Sequence, residues 1–256
     1  MADWSAQQYL KFRDERTRPA RDLLTQMPVE RAHLVFDLGC GPGNSTDLLV
    51  TRYPHAEVIG VDSSTDMLAR ARERLPRCKF VHADITTWQP ANGADVLFSN
   101  GAFQWVPDHQ PMLRRLVQAL PSGGVFAAQI VDIGETLALV LLREIAERKP
   151  WVANPGLRKA VRAPLPRAES YYDVLKPLCT WMDIWLTVYH HPLPSPGAIV
   201  EWFKGSALQP FLAALEPGTT EEFLAAYTAE ISRHHPARVD GQVLLELPRL
   251  FIVATR

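Results

Sequence analysis

Carboxylates spaced at the ends of short apolar runs are the feature of this chain best able to do chemistry. Asp37 lies inside Leu34-Val35-Phe36-Asp37-Leu38, Asp62 follows Val58-Ile59-Gly60-Val61, and Asp84 follows Phe80-Val81-His82-Ala83. Directly after the first run stands Gly39-Cys40-Gly41-Pro42-Gly43-Asn44. Apolar runs of this length make buried parallel strands. Glycine removes side chains where a backbone must turn sharply and lie against a ligand. With a helix expected from Ser45 to Arg52, the order is a βαβαβ nucleotide-binding half. Acids at its strand ends predict an adenosine-containing cofactor, because a carboxylate only accepts hydrogen bonds and its charge strengthens them.

Two cofactor classes share that outline. In the dinucleotide fingerprint, glycines occupy the first, third and sixth positions. Gly39 and Gly41 fit, but the sixth position is Asn44 and the third glycine comes early, at Gly43. The order Asp-x-Gly-x-Gly-x-Gly instead resembles motif I of the class I S-adenosylmethionine-dependent methyltransferases. That resemblance implies that Asp62 accepts from both ribose hydroxyls, and that Asp84-Ile85 lies at the adenine. The cofactor set it implies is Tyr9, Asp37, Gly39, Gly41, Asp62, Ser63, Met67, Asp84, Ile85 and Asn100. A plainer reading remains beside it, in which Asp62 and Asp84 only cap the helices after them.

The elements that would position these residues alternate regularly from 34 to about 130. Strands are expected at Val96 to Phe98 and Val125 to Ile130, with a helix at Gln110 to Leu120 between them. Residues 3–27 read as helical, with Thr17 capping a helix that carries Pro19 in its first turn. After 134 the pattern changes: helices at Glu135 to Arg148, 169–178, Ser195 to Glu216 and Thr219 to His235, and an irregular Pro- and Arg-rich stretch at 149–168. Residues 183–189 alternate like a half-buried strand, and a last strand closes the chain at 247–254. The fold class predicted is α/β: a Rossmann-like class I methyltransferase with a seven-stranded, mostly parallel sheet, an antiparallel last strand and a helical cap insertion. The expected division is a core over 1–133, a cap over 134–240 containing strand six, and a final strand within 241–256.

The acceptor is a separate question, since a fold does not name a substrate. Over nearly its full length the chain resembles the trans-aconitate methyltransferase family. The resemblance rests on Asp3-Trp4, Tyr9-Leu10, Arg18-Pro19-Ala20, Phe36 to Thr46, Gln104-Trp105-Val106-Pro107-Asp108-His109, Tyr171-Tyr172-Asp173, Asp183-Ile184-Trp185, and Pro248 to Val253. It implies methyl transfer from S-adenosyl-L-methionine to a carboxylate oxygen of a tricarboxylate. A carboxylate is already ionised at neutral pH, so no general base is expected and no catalytic side chain is assigned. Three negative charges do demand cationic partners, and arginine meets a carboxylate with two hydrogen bonds. The candidates are Arg13, Arg16, Arg18, Arg21, Lys204 and Arg249. Arg18 stands out because a cation beside Pro19 at a helix start is on the wrong side of the dipole. The acceptor set expected is Arg13, Arg18, Trp105, Tyr189 and His190, with Trp105 as a wall against water. Two alternatives stay open: a methyltransferase for another carboxylate, such as a carrier-protein-bound dicarboxylic acid, and a non-catalytic S-adenosylmethionine-binding protein.

Composition narrows the partners. The chain has 256 residues and a net charge of −1, with 47% hydrophobic residues, which suits a core-forming globular chain. That charge gives no electrostatic case for nucleic acid. Cys40, Cys78 and Cys179 are odd in number and widely separated, as reduced thiols are. Neither His190-His191 nor His234-His235 has helical metal-ligand spacing. A small-molecule acceptor is therefore expected, without metal, membrane, nucleic acid or obligate protein partner, in the cytoplasm.

Overall fold

The computed structural model describes residues 11–90, 93–161, 164–216 and 218–256. Seven strands form one sheet: β1 (Leu34–Leu38), β2 (Glu57–Asp62), β3 (Lys79–His82), β4 (Val96–Asn100), β5 (Val125–Val131), β6 (Trp181–Leu193) and β7 (Val243–Thr255). Their spatial order is β3-β2-β1-β4-β5-β7-β6. The first five run parallel, and β7 is antiparallel to both β5 and β6. This is the class I methyltransferase arrangement.

The strand sequences explain why the sheet is covered on both faces. Phe126, Ala128 and Ile130 alternate with Val125 and Ala127, and all five are buried. One set packs under the helices α4 (Gln110–Ala119) and α7 (Ala168–Leu175). The other packs under α1 (Arg13–Thr25) and α2 (Asn44–Arg52). α3 (Thr65–Arg74) follows β2 and buries Met67, Leu68 and Ala71.

A second apolar core gathers α5 (Leu137–Ala146), α6 (Pro155–Ala160), α8 (Pro196–Lys204) and α10 (Thr220–His234) around the first half of β7. α9 (Gln209–Ala214) adds Phe211 to it. In β7, Val243, Leu245 and Leu247 belong to this helical layer, while Phe251, Ile252 and Val253 lie in the sheet core. One strand therefore ties the two layers together.

Three local expectations are corrected. Thr17 does not cap a helix: α1 starts at Arg13, Pro19 lies inside it, and the Thr17 hydroxyl donates back to the Arg13 carbonyl at 2.6 Å. The stretch Ser195 to Glu216 is two helices, because the first stops with Gly205 at its C-cap. The segment 149–168 is not wholly irregular, since Asn154 accepts from Gly156 N at 2.8 Å and caps α6. Asp3, Trp4, Tyr9 and Leu10 lie outside the described residues. Among the described residues, no helix is long and apolar enough to cross a membrane, and no cluster of His, Cys, Asp or Glu could hold a metal ion.

Candidate active site

The carboxyl ends of the parallel strands open onto a cavity of about 330 Å³. Ligands of open α/β sheets bind at that edge. The glycine loop forms its floor. Gly39, Gly41 and Gly43 have φ of 69°, 53° and 82°, left-handed values that only glycine adopts readily. A Cβ on Gly39 would also lie 2.3 Å from the Ala102 Cβ, so the ends of β1 and β4 meet only because glycine is there. A Cβ on Gly41 would meet nothing within 4 Å, so its backbone presents a bare face to the cavity.

Asp62 braces this loop. Gly41 N donates to its Oδ2 at 2.9 Å, and Ser64 N donates to its Oδ1 at 2.8 Å. The cap of α3 is Ser64, whose hydroxyl accepts from Met67 N at 3.3 Å. Asp84 accepts from Thr86 N at 2.8 Å and opens a turn, not a helix. Helix capping therefore explains neither acid. An ionised carboxylate accepts up to about four hydrogen bonds, so bracing a loop and holding ribose hydroxyls are compatible.

Behind the loop, Asp37 is fully buried and its Oδ2 accepts from Ser45 at 2.8 Å and Thr46 at 2.7 Å. Burial pushes its carboxyl up to about 6, against the lowering effect of those two hydroxyls. Asp37 is not in the cavity wall; it fastens the start of α2 to β1 and so shapes the loop from behind.

Of the cofactor set read from the sequence, Gly39, Gly41, Asp62, Ser63, Met67, Asp84, Ile85 and Asn100 line the cavity. Tyr9 is outside the described residues. The lining suits S-adenosylmethionine chemically: acids at the ends of β2 and β3, bare glycine backbone at β1, and a buried Asn100 Oδ1 with no partner among the described residues.

The acceptor side departs further from expectation. Trp105 lines the cavity from a single turn at Phe103–Trp105. Arg13, Arg18, Tyr189 and His190 do not line it. Arg13 is exposed beside Asp14. Arg18 is exposed and sits 5.1 Å over the Tyr189 ring. Tyr189 is buried against the other sheet face and donates to Asp22 at 2.6 Å. His190 points to solvent. Two other candidates take their place: Arg16 and Arg249, 8% and 6% exposed, both in the cavity wall. Arg16 donates to the Trp202 carbonyl at 2.9 Å and stacks over that ring at 4.9 Å. Arg249 donates to Gln129 Oε1 at 3.5 Å from the strand that pairs with β5.

Sequence reasoning missed Trp202, which carries the upper wall. Phe12 lies 4.7 Å from its ring and His191 stacks on it at 5.0 Å. His191 is 3% exposed, and burial followed by the charges of Arg249, Arg18 and Arg16 and of its neighbour His190 lowers its imidazole to about 4. The apolar residues before and after Trp202 at helical spacing mark a buried face, but nothing local marks it as a cavity wall.

Comparison with known proteins gives three findings. A family model described as a methyltransferase domain matches residues 35–124. Proteins named trans-aconitate 2-methyltransferase from Rhodopseudomonas palustris (strain HaA2) and Afipia carboxidovorans (strain OM5) are 53% and 52% identical over 256 residues, covering all of both chains. A phosphoethanolamine N-methyltransferase from Haemonchus contortus, solved with S-adenosyl-L-methionine, superposes with a TM-score of 0.54 over 93% of this chain and 52% of its own, at 18% identity. At that identity the likeness is one of fold.

Proposed function

This chain belongs to the trans-aconitate 2-methyltransferase family, and on that footing we propose that it esterifies a carboxylate of trans-aconitate with the methyl group of S-adenosyl-L-methionine. The observation that carries the reading is the sorting of charge along one cavity. Its acids, Asp62 and Asp84, stand at the ends of β2 and β3. Its described cations are Arg16 and Arg249, and Arg249 lies four strand positions from Asp62. At 4.7–4.9 Å per strand that is about 19 Å, enough to hold a nucleoside cofactor and an anionic acceptor end to end.

The bound cofactor supplies an electrophilic methyl on a sulfonium. What the chain supplies is position and exclusion of water. Asp62 would hold the ribose hydroxyls, and Asp84 with Ile85 would frame the adenine. Gly39 and Gly41 let the backbone approach. Arg16 and Arg249 clamp acceptor carboxylates, each guanidinium offering a fork of donors that matches two oxygens. Trp105 and Trp202, both in the cavity wall, would keep water from the reacting oxygen. No side chain is needed to take a proton from the acceptor, because the nucleophile is a carboxylate.

The test is mass spectrometry of the purified chain with isotope-labelled S-adenosylmethionine and a panel of di- and tricarboxylic acids. A labelled monomethyl ester of trans-aconitate, well above the other acids, is the expected product. Tight S-adenosylhomocysteine binding with no labelled ester from any acid would overturn the substrate while leaving the fold.

A further inference from the structure

A smaller cavity of about 70 Å³ adjoins the main one. The two share Gln104, Val131, Ile133 and Ala207 as common walls. Most of its other walls are apolar, and Arg143, from the last part of α5, is the one ionisable side chain among the described lining residues. An arginine facing an apolar chamber gains most from an anion placed there with it.

Its present partner is a weak one. Both terminal nitrogens of Arg143 lie 3.4 Å from the same oxygen of Glu135. The Glu135 side chain is 78% exposed, and ion pairs of that kind contribute little. The volume is several times the roughly 10–15 Å³ that one water needs, the scale of a small polar group of a few heavy atoms.

We infer that this side cavity is a second carboxylate subsite, in which Arg143 receives an arm of the acceptor that is neither methylated nor held by Arg16 and Arg249. The inference rests on the carboxyl-methylating function proposed above and extends it to acceptor choice. A tricarboxylate has one carboxylate at the methyl and two others to be neutralised. The lining cations of the two cavities among the described residues are Arg16, Arg249 and Arg143, and the lining acids are confined to the cofactor end. Dicarboxylates lacking the third arm leave Arg143 on Glu135 and forgo one charge-assisted pair.

Steady-state kinetics of Arg143→Gln and Glu135→Gln test this, with thermal melting of each variant to confirm folding. Arg143→Gln is expected to raise the KM for trans-aconitate about 10- to 100-fold, with the KM for S-adenosylmethionine unchanged. Glu135→Gln, which removes the competing carboxylate, is expected to leave the acceptor KM unchanged or lower it. An unchanged acceptor KM in Arg143→Gln overturns the subsite. So does an equal rise in both variants, which would make the pair a structural tie. If the wild-type chain forms no ester, calorimetry of trans-aconitate into protein saturated with S-adenosylhomocysteine decides the matter separately. Weaker binding to Arg143→Gln than to wild type then supports the subsite, and equal binding overturns it.

Discussion

His191 and Asp37 are the two buried titratable groups with the largest consequences, and they pull in opposite directions. His191 is lowered to about 4, mainly by burial and then by neighbouring arginine charge, so it folds neutral. Its stability contribution is present above pH 6.5 and lost as pH falls through 4. Asp37 is raised to about 6, mainly by burial. Its contribution is present below pH 3.8 and lost as pH rises through 6. Each displacement corresponds to about 3 kcal/mol between the two protonation states. In the window between pH 4 and 6 the slopes offset each other. Thermal melting should therefore show a steeper rise with pH in Asp37→Asn than in wild type, and a fall with pH in His191→Gln. Curves for the two variants parallel to wild type would mean that neither group titrates as its burial demands. The same residues show where sequence reading succeeds and fails. Positions 16 and 18 of a helix point about 200° apart, so mistaking the start of α1 exchanges the cavity-lining Arg16 for the solvent-facing Arg18. In a strand the error needs only one residue: His190 is exposed and His191 supports Trp202. The acids at the ends of β2 and β3 were legible because strand ends in a parallel sheet all meet the same edge.

Elements, not single contacts, hold the Asp84 side of the cavity in shape, and Arg115 shows how. From α4 its guanidinium donates to the carbonyls of Thr86 at 2.6 Å, Trp88 at 3.1 Å, Thr87 at 3.3 Å and Ile85 at 3.5 Å. It thus gathers the turn that carries Asp84 and Ile85 into the cavity. Lysine keeps the charge but not the fork. Arg115→Lys is expected to weaken S-adenosylhomocysteine binding about 5- to 10-fold by calorimetry, on the scale of one lost hydrogen bond, with the acceptor KM unchanged. Equal losses for both ligands would show that the turn supports the whole cavity. The parallel half of the sheet was legible from alternating strands and helices, and the antiparallel last strand from the family resemblance, yet β6 and β7 are each 13 residues long, far beyond the expected 183–189 and 247–254. Their pairing runs through prolines: Pro192 faces Leu244 and Pro248 faces Val188. Leu193 of β6 and Val243 and Leu245 of β7 belong to the helical layer, whose packing no local pattern reveals.

At the scale of the whole molecule, a net charge of −1 conceals an internal separation among the described residues that line the two adjoining cavities: acids at the ends of β2 and β3, arginines on the other walls. The sheet supplies the first half, as it does for many unrelated activities. The arginines come from α1, α5 and β7, elements far apart in sequence, which is why their convergence on adjoining cavities was not legible along the chain. Among the described residues no histidine lines the main cavity; the buried His109 and His191 lie behind its Val106 and Trp202 walls. His109 donates from Nδ1 to the Val106 carbonyl and accepts at Nε2 from the Tyr171 hydroxyl at 2.7 Å, so both nitrogens are occupied. Burial lowers it, and lowers His191 to about 4, so both are neutral throughout the neutral range. With an acceptor ionised well below that range, kcat should vary little between about pH 6 and 9, the window in which a general base would titrate. A rise of one decade per pH unit in that window, measured at saturating cofactor and acceptor, would mean that the acceptor loses a proton on the enzyme. The nucleophile would then be a hydroxyl or an amine, and the arginines at the far end of the cavity would hold a carboxylate that does not react.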